Sequence, residues 1–200
     1  SDMSLNENLS STPQDRRELM DLVERMQGAF TTIAKSKIPT IALAHGFCIG
    51  GATSLVSACD IRLATKDAKF SIGETKLGLV ADVGVIQRMP KIVSSGDMNE
   101  LALTGRIFDG EHAEKIRFVS KVYENSDDLF EAGEKLANEI SSNSKRIVQA
   151  TKEALEKSSN LTVDQGLEYA KLWSTSFLVS EDLREGVMAF LEKRDPKFNE

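Results

Sequence analysis

The periodicity of this chain changes near Asn125, and that change restricts the possible folds more than any other feature. Before it, short apolar runs alternate with helical patterns. After it, segments 127–141, 144–157, 162–179 and 181–193 each repeat apolar residues at three- and four-residue steps. Alternating β and α elements followed by an unbroken helical stretch predict an α/β core, residues 1–125, with a helical C-terminal subdomain, residues 126–200. Two hundred residues suffice for one substantial domain with such an appendage.

Within the first part, residues 1–14 are polar and read as a surface lead-in. Leu19, Leu22, Val23, Met26, Phe30 and Ile33 then predict an amphipathic helix that starts at Asp15 and ends near Ser36. The run IPTIALAHG is bounded by Pro and Gly, and a central strand covered on both faces is the expectation. GGATSLVSAC has helical spacing after a glycine pair, and DIRLATKDAKFSI offers two β-like runs around a Lys-Asp turn. Short helices are predicted over 84–93, interrupted by Pro90, and over 95–104 and 111–116, with a strand in FVSKVY.

Composition removes several classes of function. No run approaches the roughly 18 apolar residues of a membrane span, and the opening SDMSLNENLSSTPQD lacks the basic and apolar regions of a secretory signal. A net charge of −6 argues against nucleic acid or an anionic membrane as the main partner. Cys48 and Cys59 have neither disulfide-framework nor metal-ligand spacing, and His45 and His112 are the only histidines, so no metal site is expected. Buried thiols in a reducing compartment fit this pattern.

Two stretches carry candidate chemistry. SIGETKLGLVADVGV, residues 71–85, places two acids, Glu74 and Asp82, in mostly apolar surroundings. An unpaired carboxylate is expensive to bury, so these acids have partners, cap a helix, or move protons. From the residues alone, Asp82 can be an N-cap for 83–93 and Glu74 a solvated acid paired with Lys76 or Lys69. In HGFCIGGATSLV, Gly50 and Gly51 precede a helix whose first N–H groups lack internal acceptors, a setting that suits an anion or developing oxyanion. A tight strand-to-helix connection is the plainer use of two glycines. No Gly-Lys-Ser/Thr follows, so this is not a P-loop.

The whole stretch KIPTIALAHGFCIGGATSLVSACDIRLATKDAKFSIGETKLGLVADVGVIQRMPKIV, with the closing EGVMAFLEKRDPKF, resembles the crotonase (enoyl-CoA hydratase/isomerase) superfamily over residues 15–198. Its LGLVADVGVIQRMPKIV segment is most similar to the Δ3,5-Δ2,4-dienoyl-CoA isomerases of that superfamily. The resemblance implies a spiral of ββα units with trailing helices that build homotrimers or hexamers. It also implies an acyl-CoA substrate, with no cofactor beyond the coenzyme A of the substrate itself. One N–H of the oxyanion pair would come from Gly51, beside Gly50. The other belongs to a family segment that Ser1-Asp2-Met3 follows, so the chain resembles a crotonase lacking that N-terminal part. Glu74 and Asp82 would transfer protons.

Ser54 occupies the position where hydratases carry Glu and dienoyl isomerases generally carry Asp. Hydration needs two carboxylates around one water, so Ser54 argues against a hydratase; a hydroxyl could still contact substrate. Lys193 and Phe190 match places where the family contacts coenzyme A, often from a neighbouring subunit, although a solvated helix-end Lys and a core or interface Phe fit equally. The leading expectation is a dienoyl-CoA isomerase-like enzyme. The alternatives are a Δ3-Δ2-enoyl-CoA isomerase that uses Glu74 alone and a non-catalytic acyl-CoA-binding subunit. A soluble intracellular protein is expected, in the cytoplasm, mitochondrion or peroxisome.

Overall fold

A computed structural model describes residues 12–198. The first helix, α1 (Pro13–Ala34), begins where its local chemistry dictates: Thr12 and Asp15 form a reciprocal capping box, and Pro13 occupies the first helical turn. It packs against α2 while leaving Leu19 and Met20 exposed.

Six short strands follow among the described residues: β1 (Ile41–Ala44), β2 (Phe47–Ile49), β3 (Ile61–Thr65), β4 (Lys69–Ser71), β5 (Phe108–Asp109) and β6 (Lys121–Tyr123). They form two three-stranded sheets. The first, in the order β1-β3-β6, is parallel throughout, with Ile41 opposite Ile61 and Leu63 opposite Lys121. The second, β2-β4-β5, pairs β2 parallel and β5 antiparallel to β4.

Several expectations change here. The IPTIALAHG strand is an edge, not a central strand, among the described residues: β1 pairs with β3 alone, and only Ala44 of its four residues is buried. The two β runs of DIRLATKDAKFSI do not share a ladder, because the Lys-Asp turn sends β3 and β4 into different sheets. Strands β2 and β5 have three and two residues, too few for any alternation to register.

The helices between the strands are α2 (Gly51–Ala58), α3 (Val85–Arg88), α4 (Ser95–Thr104) and α5 (Gly110–Lys115). Their apolar faces meet around Phe70, Phe108 and Phe118, whose ring centroids lie 5.5 to 6.2 Å apart. Met89, Leu101, Val85 and Ile72 complete this core. Each such side chain contributes about 1.5–3 kcal/mol through burial.

Helix α6 (Ser126–Ser141) lies across the first sheet, buries Leu129 fully, and brings Gly133 against Leu43 of β1. Helices α7 (Lys145–Ser158), α8 (Val163–Phe177) and α9 (Glu181–Glu192) follow, as their periodicity predicts. Lys152 of α7 reaches back to the first sheet. Its ammonium meets Asp60 at 2.6 Å and the Ile38 carbonyl at 3.1 Å, and Asp60 also accepts from the N–H and hydroxyl of Thr40. Asp60 is therefore a structural acid. Among the described residues no helix is long and apolar enough to cross a membrane.

Candidate active site

The turn after β2 places the first functional group. Gly50 adopts φ 58°, ψ −115°, a conformation open to glycine and strained for other residues. This reverses the chain sharply enough for α2 to begin at Gly51. No side chain caps α2, so its first N–H groups have no side-chain acceptor. Gly51 is exposed, with nothing within 4 Å of where a side chain would project. A ligand can approach this backbone directly.

The second group comes from the end of β4. A 3-10 turn, Gly73–Leu77, carries Glu74. It is fastened on both flanks to the C-terminal end of α4: the Ser71 hydroxyl donates to the Gly105 carbonyl at 3.0 Å, and the Thr75 hydroxyl donates to Ala102 at 2.7 Å. So held, the Glu74 carboxylate stands over the glycine turn, with Oε1 3.4 Å from where a Cβ on Gly50 would lie. Its other oxygen, Oε2, is buried and has no hydrogen-bond partner. Glu74 and Gly50, 24 residues apart in sequence, are thus brought together. Pairing of Glu74 with Lys69 or Lys76 is not observed among the described residues.

Asp82 lies on the loop between this turn and α3 and is exposed. It is not the N-cap of the following helix, a place held by Gly84 at φ 113°. Its backbone carbonyl accepts from the Gln27 side chain at 2.6 Å, which ties the loop to α1. Arg88, one turn into α3, adds a second tie by donating to the Val83 carbonyl and the Thr31 hydroxyl. The carboxylate of Asp82 enters no ion pair among the described residues.

Ser54 is fully buried on α2, one turn beyond Gly50, and its hydroxyl has no partner. Phe190 and Lys193 stand elsewhere. Phe190 is 81% exposed and lines a groove with Phe177, Leu183 and Phe198 that includes none of Gly51, Glu74 or Asp82. Lys193 ends α9 in a left-handed conformation. His45 sits edge-on to Phe130 at 5.8 Å. Burial pushes the thiols of Cys48 and Cys59 up, which keeps both neutral. Sequence reasoning missed Thr53 and Ser71, whose contacts under the glycine turn had no signal in the residue pattern.

A family model described as enoyl-CoA hydratase/isomerase matches residues 8–200. The chain belongs to this family. Among curated proteins it is similar to the mitochondrial Δ3,5-Δ2,4-dienoyl-CoA isomerase of Dictyostelium discoideum, at 47% identity over 94% of this chain and 64% of that protein. The peroxisomal Δ3,5-Δ2,4-dienoyl-CoA isomerase of Arabidopsis thaliana is 42% identical over 94% of this chain and 69% of that protein. For the mitochondrial enzyme of Mus musculus the values are 43%, 90% and 55%. The chain therefore spans between about half and two thirds of the length of these relatives.

Crystal structures with the same fold include the enoyl-CoA hydratase of Bacillus anthracis, with TM-score 0.86 and 28% identity over 97% of this chain and 74% of that one. A putative enoyl-CoA hydratase/isomerase family protein from Hyphomonas neptunium gives TM-score 0.85 and 33% identity over 100% of this chain and 74% of that one. The crotonase-like α/β fold with its C-terminal helices, expected from the sequence, is thus what this family member adopts.

Proposed function

We propose that this crotonase-family chain carries the proton-transfer site of an acyl-CoA double-bond isomerase of the dienoyl type. The observation that carries the proposal is the carboxylate of Glu74, held over the Gly50–Gly51 turn with a buried oxygen left uncommitted. Similarity to three dienoyl-CoA isomerases at 42–47% identity supports the choice of reaction.

The chemistry follows from the two halves of the site. A thioester oxygen lodged against the Gly51 N–H gains negative charge when a proton leaves C2, and a fixed backbone donor stabilises that charge by about 3–4 kcal/mol in a water-poor site. Converting a 3,5-diene to a 2,4-diene removes a proton from C2 and adds one at C6. Glu74 and Asp82 fill these two stations, one ionised as base and the other protonated as acid; exchange with solvent resets them after each turnover. Ser54, buried one turn beyond Gly50, carries a neutral hydroxyl and cannot replace a second hydratase carboxylate. No metal and no redox cofactor enters this scheme; coenzyme A arrives with the substrate.

The exposure of Asp82 favours a second reading, a Δ3-Δ2-enoyl isomerase in which Glu74 alone shuttles the proton. A homotrimer or hexamer is the proposed assembly. Exposed apolar residues on the C-terminal helices, among them Leu172, Val187 and Phe190, support it, because a second copy would cover them. A neighbouring copy is also the route by which Phe190 and Lys193 would reach coenzyme A.

The test is turnover of a 3,5-dienoyl-CoA, followed by the absorbance of the conjugated 2,4-dienoyl product. Glu74→Gln and Asp82→Asn should each lower kcat by about 10²–10⁴-fold. Full activity in Asp82→Asn, with turnover of 3-enoyl-CoA, would select the single-acid isomerase. Acyl-CoA binding without turnover of either substrate would leave a binding protein.

A further inference from the structure

The amide proposed to polarise the thioester follows a glycine that has no intrinsic rigidity, at a helix start without a side-chain cap. Something else must hold it. Two donors converge on the carbonyl of Ser71, the last residue of β4: the Gly50 N–H at 3.0 Å and the Thr53 hydroxyl at 3.0 Å. The single Thr53 O–H is shared between this carbonyl and that of Cys48 in β2. Thr53 is fully buried at the third position of α2. It thus reverses ordinary capping: a side chain inside the helix reaches back to the strand that precedes it, and across to the neighbouring strand. Glu74 begins three residues beyond Ser71, on the turn that the Ser71 hydroxyl secures to Gly105.

We infer that Thr53 is a positioning residue, whose hydroxyl, with the Gly50 N–H, clamps the end of β4 and so sets the Gly51 amide and the Glu74 carboxylate in register. The inference rests on the proposed function for its catalytic consequence, though not for its structural one. The clamp joins the two halves of the site through one carbonyl. Its loss leaves the glycine turn free to shift against the acid. A displacement near 1 Å between reacting groups costs about a hundredfold in rate, and a misplaced oxyanion donor acts on the transition state more than on bound substrate.

The experiment compares the whole chain with its Thr53→Val and Thr53→Ser variants. Valine keeps the shape and deletes the O–H; serine keeps the O–H and deletes a methyl. In Thr53→Val, kcat for the dienoyl-CoA should fall about 10- to 100-fold with KM within about threefold. Hydrogen exchange of the Gly50 amide should quicken at least about tenfold while α4 keeps its protection. Thr53→Ser should stay within about threefold of the parent in both readouts. Unchanged kcat and Gly50 exchange in Thr53→Val would overturn the inference. So would equal losses in Thr53→Ser, or a Thr53→Val chain that unfolds or loses protection throughout α4, since these mark a packing role. If the parent chain turns over no enoyl- or dienoyl-CoA, the functional proposal fails and Gly50 exchange alone decides the clamp.

Discussion

Adding one methyl group at Gly50 and one at Gly51 should move stability in opposite directions. Gly50 sits at φ 58°, ψ −115°, where an alanine is strained by about 1–3 kcal/mol. Space is not the obstacle: the new Cβ would lie 3.4 Å from Glu74 Oε1 and 4.0 Å from its Cδ, ordinary contact distances. Backbone strain therefore decides the outcome, and for a chain of this size it corresponds to a Tm lowered by about 2–12 °C. The strain can be relieved by rotating the 50–51 peptide, which would turn the Gly51 N–H away from the site, so kcat should fall as well. Gly51 already has helical backbone geometry and open space beside it. There alanine should be neutral or stabilise by about 0.4–1 kcal/mol through the unfolded chain, while its methyl obstructs ligand approach and raises KM. Thermal denaturation and steady-state kinetics on both variants test the argument. A Gly51→Ala loss of stability equal to that of Gly50→Ala would refute it.

Gly110→Ala should be the most damaging glycine substitution, because its Cβ would lie 2.0 Å from the Thr65 carbonyl oxygen and backbone cannot swing aside. A loss of about 3 kcal/mol or more is expected in urea denaturation. Lys152→Met leaves the half-buried Asp60 with its Thr40 bonds but no cation and should cost about 1–3 kcal/mol, between the values for exposed and buried pairs. A double-mutant cycle with Asp60→Asn should show coupling above about 0.5 kcal/mol, and a smaller value would deny α7 this tie to the sheet. At the C-terminus, Arg194 donates to Glu185, which also accepts the Lys197 N–H, and these bonds hold the Glu185 carboxyl down to about 2 from its usual 4.5. A depressed carboxyl stabilises the fold above its unfolded value and stops doing so as pH falls through the folded one. Protection of the Lys197 amide should thus persist at neutral pH and disappear between about pH 4.5 and 2, and in Glu185→Gln it should no longer change with pH over that window.

The sequence determined the local elements and the identities of the candidate groups. Periodicity placed the starts of α1, α6 and α8 within about two residues. The caps that fix them, Thr12 with Asp15, Asn125 with Asp128 and Thr162 with Gln165, emerged only in the structure, as did the replacement of Asp82 by Gly84 as the N-cap of α3. The long helices α6 to α9 were legible because an apolar face repeats often enough to be read. Glu74, Asp82 and the glycine pair could be singled out because carboxylates in apolar surroundings and glycines at a helix start are chemically conspicuous.

Tertiary structure alone decided the pairings between distant segments. Nothing local separates β3 from β4 into two sheets or sets β1 at an edge; those outcomes depend on which apolar faces meet across the Phe70, Phe108 and Phe118 core. Nor does any pattern in the chain announce that Thr53 and Gly50 would share the Ser71 carbonyl, or that Glu74 would arrive over Gly50 with an unpaired oxygen. A side-chain period encodes which face of an element is buried, but it carries no information about what lies opposite. The glycine turn becomes a site only when folding carries an acid to it.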